Sequence, residues 1–201
     1  MSETKKTPGA EATAAEGQSP FKSQVNPTTT DATPDKVTIA AFIRRFGTSQ
    51  LLSIPIESGC PTAHIVNDAD RAAQWAAQQN ANGANLYFSV NPLKKPLRKK
   101  ALKDDIAHSE WVFVDLDPQA DKSITEERER LLGITHRLSP EPGLVVDSGG
   151  GFWAFWRLDA PTSIEDAEAA SDAIARLIAG GDACYNADRI ARLPGTMNWP
   201  D

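Results

Sequence analysis

The sequence is poor in the residues from which thiolate metal sites and nucleophile–base pairs are made. Its 2 cysteines, Cys60 and Cys184, stand far apart with no Cys-x-x-Cys or Cys/His spacing. That excludes a cysteine-built zinc site and a disulfide framework, and it fits a reducing cytoplasm. The 3 histidines, His64, His108 and His136, are scattered outside every motif and are read as surface or capping residues. No run of about 18 apolar residues exists, which excludes a helical membrane span. The N-terminus lacks an apolar core region, so no secretory signal is visible. Positive charge is not in excess either. With a formal net charge of −6 the chain is no generally basic coat for nucleic acid, and any such contact needs a local patch.

What is present suffices for one folded domain. Of 201 residues, 40% are hydrophobic and 24% charged, enough for a full core without disulfides or structural zinc. Residues 1–35 are rich in Thr, Ala, Glu, Pro and Ser with a single aromatic, Phe21. They cannot bury enough apolar surface to offset their ordering entropy and are predicted to be a disordered N-terminal tail. The domain is predicted at 36–201.

Ile39, Phe42, Ile43 and Phe46 recur at helical spacing, with Gly47 as a stop. Strands are predicted at 51–56, 85–90, 110–117, 144–147 and 152–158, and helices at 68–79, 124–138 and 164–179. In the last helix Ala167, Ala170, Ile174, Leu177 and Ile178 are expected to face inward, with Gly180 and Gly181 as its cap. The stretch after it reads as loop, with a helical turn at 188–192. Trp111 to Val114 is an unbroken apolar run, which predicts burial on both faces of its strand. Helices mixed with a hairpin predict an α+β fold: a mixed or antiparallel sheet with packed helices.

Asp115 and Asp117 sit two apart at the end of that apolar strand. Side chains at i and i+2 share one side of a strand. Two carboxylates held together out of water need a cation, and oxygen ligands suit Mg²⁺ or Mn²⁺. Asp147 and Ser148 open a triple-glycine turn, where the backbone can approach a ligand and consecutive N–H groups can hold phosphate oxygens. Asp182 offers a third carboxylate, with Asp188 as its competitor; Arg189 and Arg192 follow in the segment RLPGTMN. Between Asn91 and Lys103 lies a basic run without an acid: Lys94, Lys95, Arg98, Lys99, Lys100 and Lys103. It reads either as a solvated loop or as a phosphate-tracking surface.

Taken in order, VFVDLD, VVDSGGGFWAFWRL and GGDACYNADRIARLPGTMN resemble the archaeo-eukaryotic primase superfamily. The likeness is to primase domains of plasmid replication proteins and phage primase–helicases, and it spans roughly residues 85–199. It implies a primase–polymerase (RRM-like) core and a DNA primase or polymerase that makes or extends primers by two-metal nucleotidyl transfer. Asp115, Asp117 and Asp182 would be the catalytic, metal-holding acids, with Mg²⁺ or Mn²⁺ as cofactor. Ser148, Gly149, Gly150, Gly151, Trp153 and Arg192 would form the site for the nucleoside triphosphate. The family's second motif carries a histidine that contacts the nucleotide; here that position holds Trp153 or Phe152.

Lys94 to Lys103 would then follow a single-stranded DNA template, with Tyr87, Phe88 or a surface tryptophan stacking bases. The setting implied is the cytoplasm of a bacterial or phage-infected cell. The chain is expected to be the N-terminal part of a longer protein, with a fused or associated helicase as partner. Two other readings stand beside this one. The first is a non-polymerising primase-fold module that binds nucleic acid or nucleotide. The second is a DxD phosphohydrolase of the haloacid-dehalogenase type, whose motif continues into Gly-Thr where this chain has Pro118-Gln119.

Overall fold

The computed structural model describes residues 33–178, 181 and 184–200. The predicted tail falls almost wholly outside them. In chain order the elements are α1 (Lys36–Phe46), β1 (Gln50–Pro55), β2 (Thr62–Ile65), α2 (Ala69–Ala81), β3 (Ala84–Ser89), β4 (Ser109–Leu116), α3 (Ile124–Thr135), β5 (Leu144–Asp147), β6 (Phe152–Thr162), α4 (Ile164–Leu177) and β7 (Ile190–Arg192). This is the expected α+β fold. Its strands divide between two sheets, ordered β2-β1-β3-β7 and β4-β6-β5, and every described strand pairing is antiparallel.

Local chemistry sets the ends of α1. Asp35 accepts from the Val37 amide at 2.9 Å, and Gly47 closes the helix in the left-handed region at φ 83°. The stripe Ile39, Ala40, Phe42, Ile43 and Phe46 is buried. It joins residues of α2, of the four-stranded sheet and of β4, β5 and β6 in one core. Phe46 stacks on Trp111 with ring centres 4.5 Å apart and meets Phe88 edge-on at 4.7 Å. Truncating such a residue to alanine costs about 3–5 kcal/mol.

Strand β4 is buried on both sides, as its apolar run predicts. Trp111 and Phe113 face the first core, while Val114 and Leu116 join Leu131, Phe152 and Ala154 in a second core under α3 and α4. β4 is an edge strand, and α4 covers it: the Phe113 amide donates to Ser171 Oγ at 3.2 Å.

That close docking corrects the predicted face of α4 in part. Ala167 and Ile178 are buried as expected and Ile174 packs against the second core, but Ser171 and Ala175 also face inward and Leu177 is 86% exposed. Gly181 does not cap the helix but forms a bridge to Leu116; Gly180 lies outside the described residues. Of the helical turn predicted at 188–192, residues 190–192 form strand β7 instead. The open edge of β3 offers backbone partners there, and Leu193 continues the pairing by donating to the Leu86 carbonyl at 2.9 Å. Strand β2, a short segment with little apolar alternation, was not legible in the sequence.

Candidate functional site

The site grows out of the end of β4. Leu116 is fully buried in the second core and anchors the strand. Alternation then sends its neighbours Asp115 and Asp117 to the opposite side. Asp115 pairs across the sheet with Trp153 and is half-buried; Asp117, one residue past the strand, is exposed.

The hairpin between β5 and β6 lies against this pair. A methyl built on Gly151 would overlap the Leu116 carbonyl oxygen and stand 3.0 Å from Asp117 Oδ1. Only glycine allows the turn to sit where it does. From the open edge of β4, Gly181 bridges to Leu116, so the chain returns to the pair at the residue before Asp182. Asp182 itself lies outside the described residues.

The glycine turn differs from a simple cradle of free amides. Gly149 N–H donates to Asp147 Oδ1 at 2.8 Å, and Gly151 N–H donates to Ser148 Oγ at 3.0 Å. Two of the three predicted phosphate-binding amides are thus engaged within the turn. Ser148 accepts there, which leaves its own hydroxyl proton to donate.

Three further residues bear on the site, of which Arg128 and Glu127 escaped sequence reasoning. Arg128, on α3, donates to Asp147 Oδ2 at 2.6 Å and to the carbonyls of Gly149 and Gly150 at 3.0 and 3.2 Å. Asn198 Nδ2 lies 3.2 Å from where a Gly149 Cβ would be. Its segment is latched by Asn80, which bonds the amide and carbonyl of Met197, and by Asn85, which does the same for Trp199. Buried Glu127 accepts from the Gln119 amide at 3.2 Å and so ties down the loop after Asp117. A two-point bond from Arg130 holds the Glu127 carboxyl down at about 2. In the sequence, Arg128 and Glu127 look like any charges on a polar helix.

Other predicted residues are engaged in packing and pairing. Trp153, 6% exposed, packs in the first core, tilted against Phe113 and stacked with Phe155. Trp111 and Phe155 are core residues; Trp156 faces the other side, packs against the second core and donates to the Pro140 carbonyl at 2.8 Å. Arg192 lies over the ring of Tyr87, 4.7 Å from its centre, on the four-stranded sheet.

Asp188 sits near Lys103, whose ammonium pairs with Glu168 at 2.6 Å. Its neighbour Ala187 bonds Glu168 and Asn91, and Asn91 accepts from Glu110 at the start of β4. Glu110 precedes Asp115 by about 17 Å of extended strand. The structure therefore places Asp117 against the glycine turn, with Asp115 two residues before it on β4, and leaves Asp188 near Lys103 toward the other end of the strand.

The basic run is an ordered loop at that far end. Leu93 bridges to Ile106, and fully buried Gln50 donates to the carbonyls of Leu97 and Lys99 at 2.9 and 3.0 Å. Lys94 is spent on the Asp104 carbonyl and Lys103 on Glu168. Lys95, Arg98, Lys99 and Lys100 are exposed. The histidines stay away from the acids: His64 stacks on Trp75, His108 meets Glu110, and His136 meets Glu141. Burial lowers the pKa of His64.

Among the described residues no group of three His, Cys, Asp or Glu side chains converges to hold a metal ion. The described donor set is the carboxylate pair Asp115 and Asp117. Hard oxygen donors of one sign suit Mg²⁺ or Mn²⁺ better than a softer metal. No described helix is long and apolar enough to cross a membrane.

No protein-family model matches the sequence, and no curated protein matches it. Solved structures do match. The AEP domain of the cyanophage S-2L primase–polymerase aligns over 83% of this chain and 85% of its own, with a TM-score of 0.62 and 16% identity. The catalytic domain of the primase RepB', solved with initiator DNA, covers 81% and 77% at TM-score 0.55 and 17% identity. The polymerase domain of Mycobacterium tuberculosis ligase D, solved with DNA, covers 88% and 84% at 0.52 and 14%. At these identities the likeness establishes the fold: the chain has the primase–polymerase fold.

Proposed function

We propose that the domain is a DNA primase or polymerase, making or extending primers on single-stranded DNA by nucleotidyl transfer in phage or plasmid replication. The observation that carries the reading is the seating of the glycine turn against Leu116 and Asp117, which joins two motifs distant in sequence. The fold shared with primase and polymerase domains supports it.

In the reaction a primer 3′-hydroxyl oxygen bonds to the α-phosphorus of a nucleoside triphosphate. The bond to the bridging oxygen breaks, pyrophosphate leaves, and the hydroxyl proton passes to solvent. Mg²⁺ or Mn²⁺, held by Asp115, Asp117 and Asp182, would neutralise the attacking and leaving oxygens. The residues of the chain orient the reactants. The Ser148 hydroxyl and the turn backbone take phosphate oxygens, with Arg192 as a further cation. Lys95, Arg98, Lys99 and Lys100 attract the template backbone about 17 Å of strand away from the acids. A cytoplasmic setting and a helicase partner belong to the same proposal.

One observation favours a second reading, a primase-fold module that binds nucleotide or nucleic acid without polymerising. Trp153 stands where the resemblance calls for a nucleotide-contacting histidine, and it is packed in the core. Primer synthesis and extension on a single-stranded template with Mn²⁺ separates the readings. Incorporation that vanishes in Asp115→Asn supports the polymerase. Salt-sensitive DNA binding with no incorporation supports the module. Phosphate release from a small phosphoester supports neither.

A further inference from the structure

We infer that Arg128 is a positioning residue: reaching from α3, its guanidinium sets the shape of the glycine turn and thereby the grip on a nucleoside triphosphate. The inference rests on the proposed nucleotide site and assigns a residue outside its motifs.

The guanidinium is bound on three sides. Nη2 donates to Asp147 Oδ2 at 2.6 Å, while Nη1 is shared between the Gly149 and Gly150 carbonyls at 3.0 and 3.2 Å. Its plane lies over Phe152, 4.8 Å from the ring centre. Phe152 pairs with Leu116, so the clamp stands one residue layer from the carboxylates. Arg128 is 22% and Asp147 10% exposed at the side chain, which strengthens their bond relative to a surface pair.

The clamp has a directional consequence. A trans peptide points its C=O and N–H to opposite sides. The Gly149 carbonyl faces Arg128, so the Gly150 N–H faces away from α3. Helix α3 packs on the Leu116 side of the sheet, and Asp115 is on the other. Arg128 thus turns the Gly150 N–H toward the carboxylate side. Asp147 reinforces the geometry, since its second oxygen takes the Gly149 N–H. Lysine cannot replace this arrangement, because a single ammonium lacks the planar fork that reaches a carboxylate and two carbonyls together.

The test uses the full 201-residue chain with a non-hydrolysable deoxynucleoside triphosphate and Mn²⁺. Arg128→Ala is expected to weaken nucleotide binding about tenfold. Amide exchange at Gly149 and Gly151 should quicken, and single-stranded DNA affinity should stay unchanged. In steady state KM rises more than kcat falls. Arg128→Lys should resemble the alanine variant, and it replaces that variant if the latter fails to fold; Asp147→Asn should fall between it and wild type. Nucleotide affinity and exchange both unchanged in the arginine variants would overturn the inference. Failure of the wild type to bind the nucleotide would sink the proposed function instead, and the exchange data would still decide whether the clamp exists.

Discussion

The two ends of β4 share one strand and one interior yet are finished differently. At the start, charges are matched: Lys103 meets Glu168, Glu168 also takes the Ala187 amide, and Asn91 links Ala187 to Glu110. At the end, backbone comes close: Gly151 at the turn stands by Leu116 and Asp117, and Gly181 at the edge bridges to Leu116. Matched side chains make a joint. Like charges flanked by glycine make a place where a cation and phosphates lower the energy. The lesson is that an acidic residue acquires a functional reading from what surrounds it.

The largest effect expected is on chemistry at the glycine end. Asp115→Asn or Asp117→Asn should cut nucleotide incorporation about a thousandfold or more, with the unfolding midpoint unchanged or raised. Glu168→Gln at the other end should do the reverse, lowering the midpoint while incorporation stays within about threefold of wild type. Parallel primer-extension and thermal-unfolding measurements check the pair, and equal losses from both ends would break the comparison.

Next comes backbone approach. Gly151→Ala forces a methyl into the Leu116 carbonyl and should cost about 2–4 kcal/mol in urea unfolding, with loss of incorporation. Gly150→Ala adds a methyl with nothing within 4 Å, so its cost should be under about 1 kcal/mol.

A smaller change is expected at the basic loop. Reversing Lys99 and Lys100 to Glu should weaken single-stranded DNA binding about tenfold and flatten its salt dependence by roughly one ion per lost phosphate contact. Reversing Lys94 and Lys103, already engaged at the joint, should change DNA binding less.

The smallest effect is on pH dependence. The Glu127 carboxyl is held at about 2 against an ordinary 4.5, so its contribution is complete above pH 4.5 and is lost as pH falls toward 2. Glu127→Gln should flatten that limb of an acid-unfolding curve, and an unchanged limb would remove Glu127 as the tie on the loop after Asp117.

Much of this architecture was legible because local rules and packing agree. The apolar run of β4 is buried on both faces as its composition demands, and the α1 stripe with its Gly47 stop reads directly. The glycine turn was legible as the link between two paired strands. What stayed hidden depends on partners remote in sequence. The split into two sheets, which meet at Phe88 and Phe155 beside Phe46 of α1, is announced by no strand. β7 forms because β3 offers an open edge. Ser171 faces inward because α4 docks on an edge strand, where a larger residue would hold it off. Arg128 and Glu127 carried no signal, since a polar helix face looks the same whether its charges meet water or a turn. Asp182, the third acid, lies outside the described residues.

The most direct measurement is a crystal structure with Mn²⁺ and a non-hydrolysable deoxynucleoside triphosphate, read by anomalous scattering at the manganese edge. The account predicts manganese within about 2.0–2.3 Å of carboxylate oxygens of Asp115 and Asp117, with the triphosphate against the Ser148–Gly151 turn. Manganese and nucleotide bound elsewhere, with Asp115 and Asp117 touching neither, would contradict it.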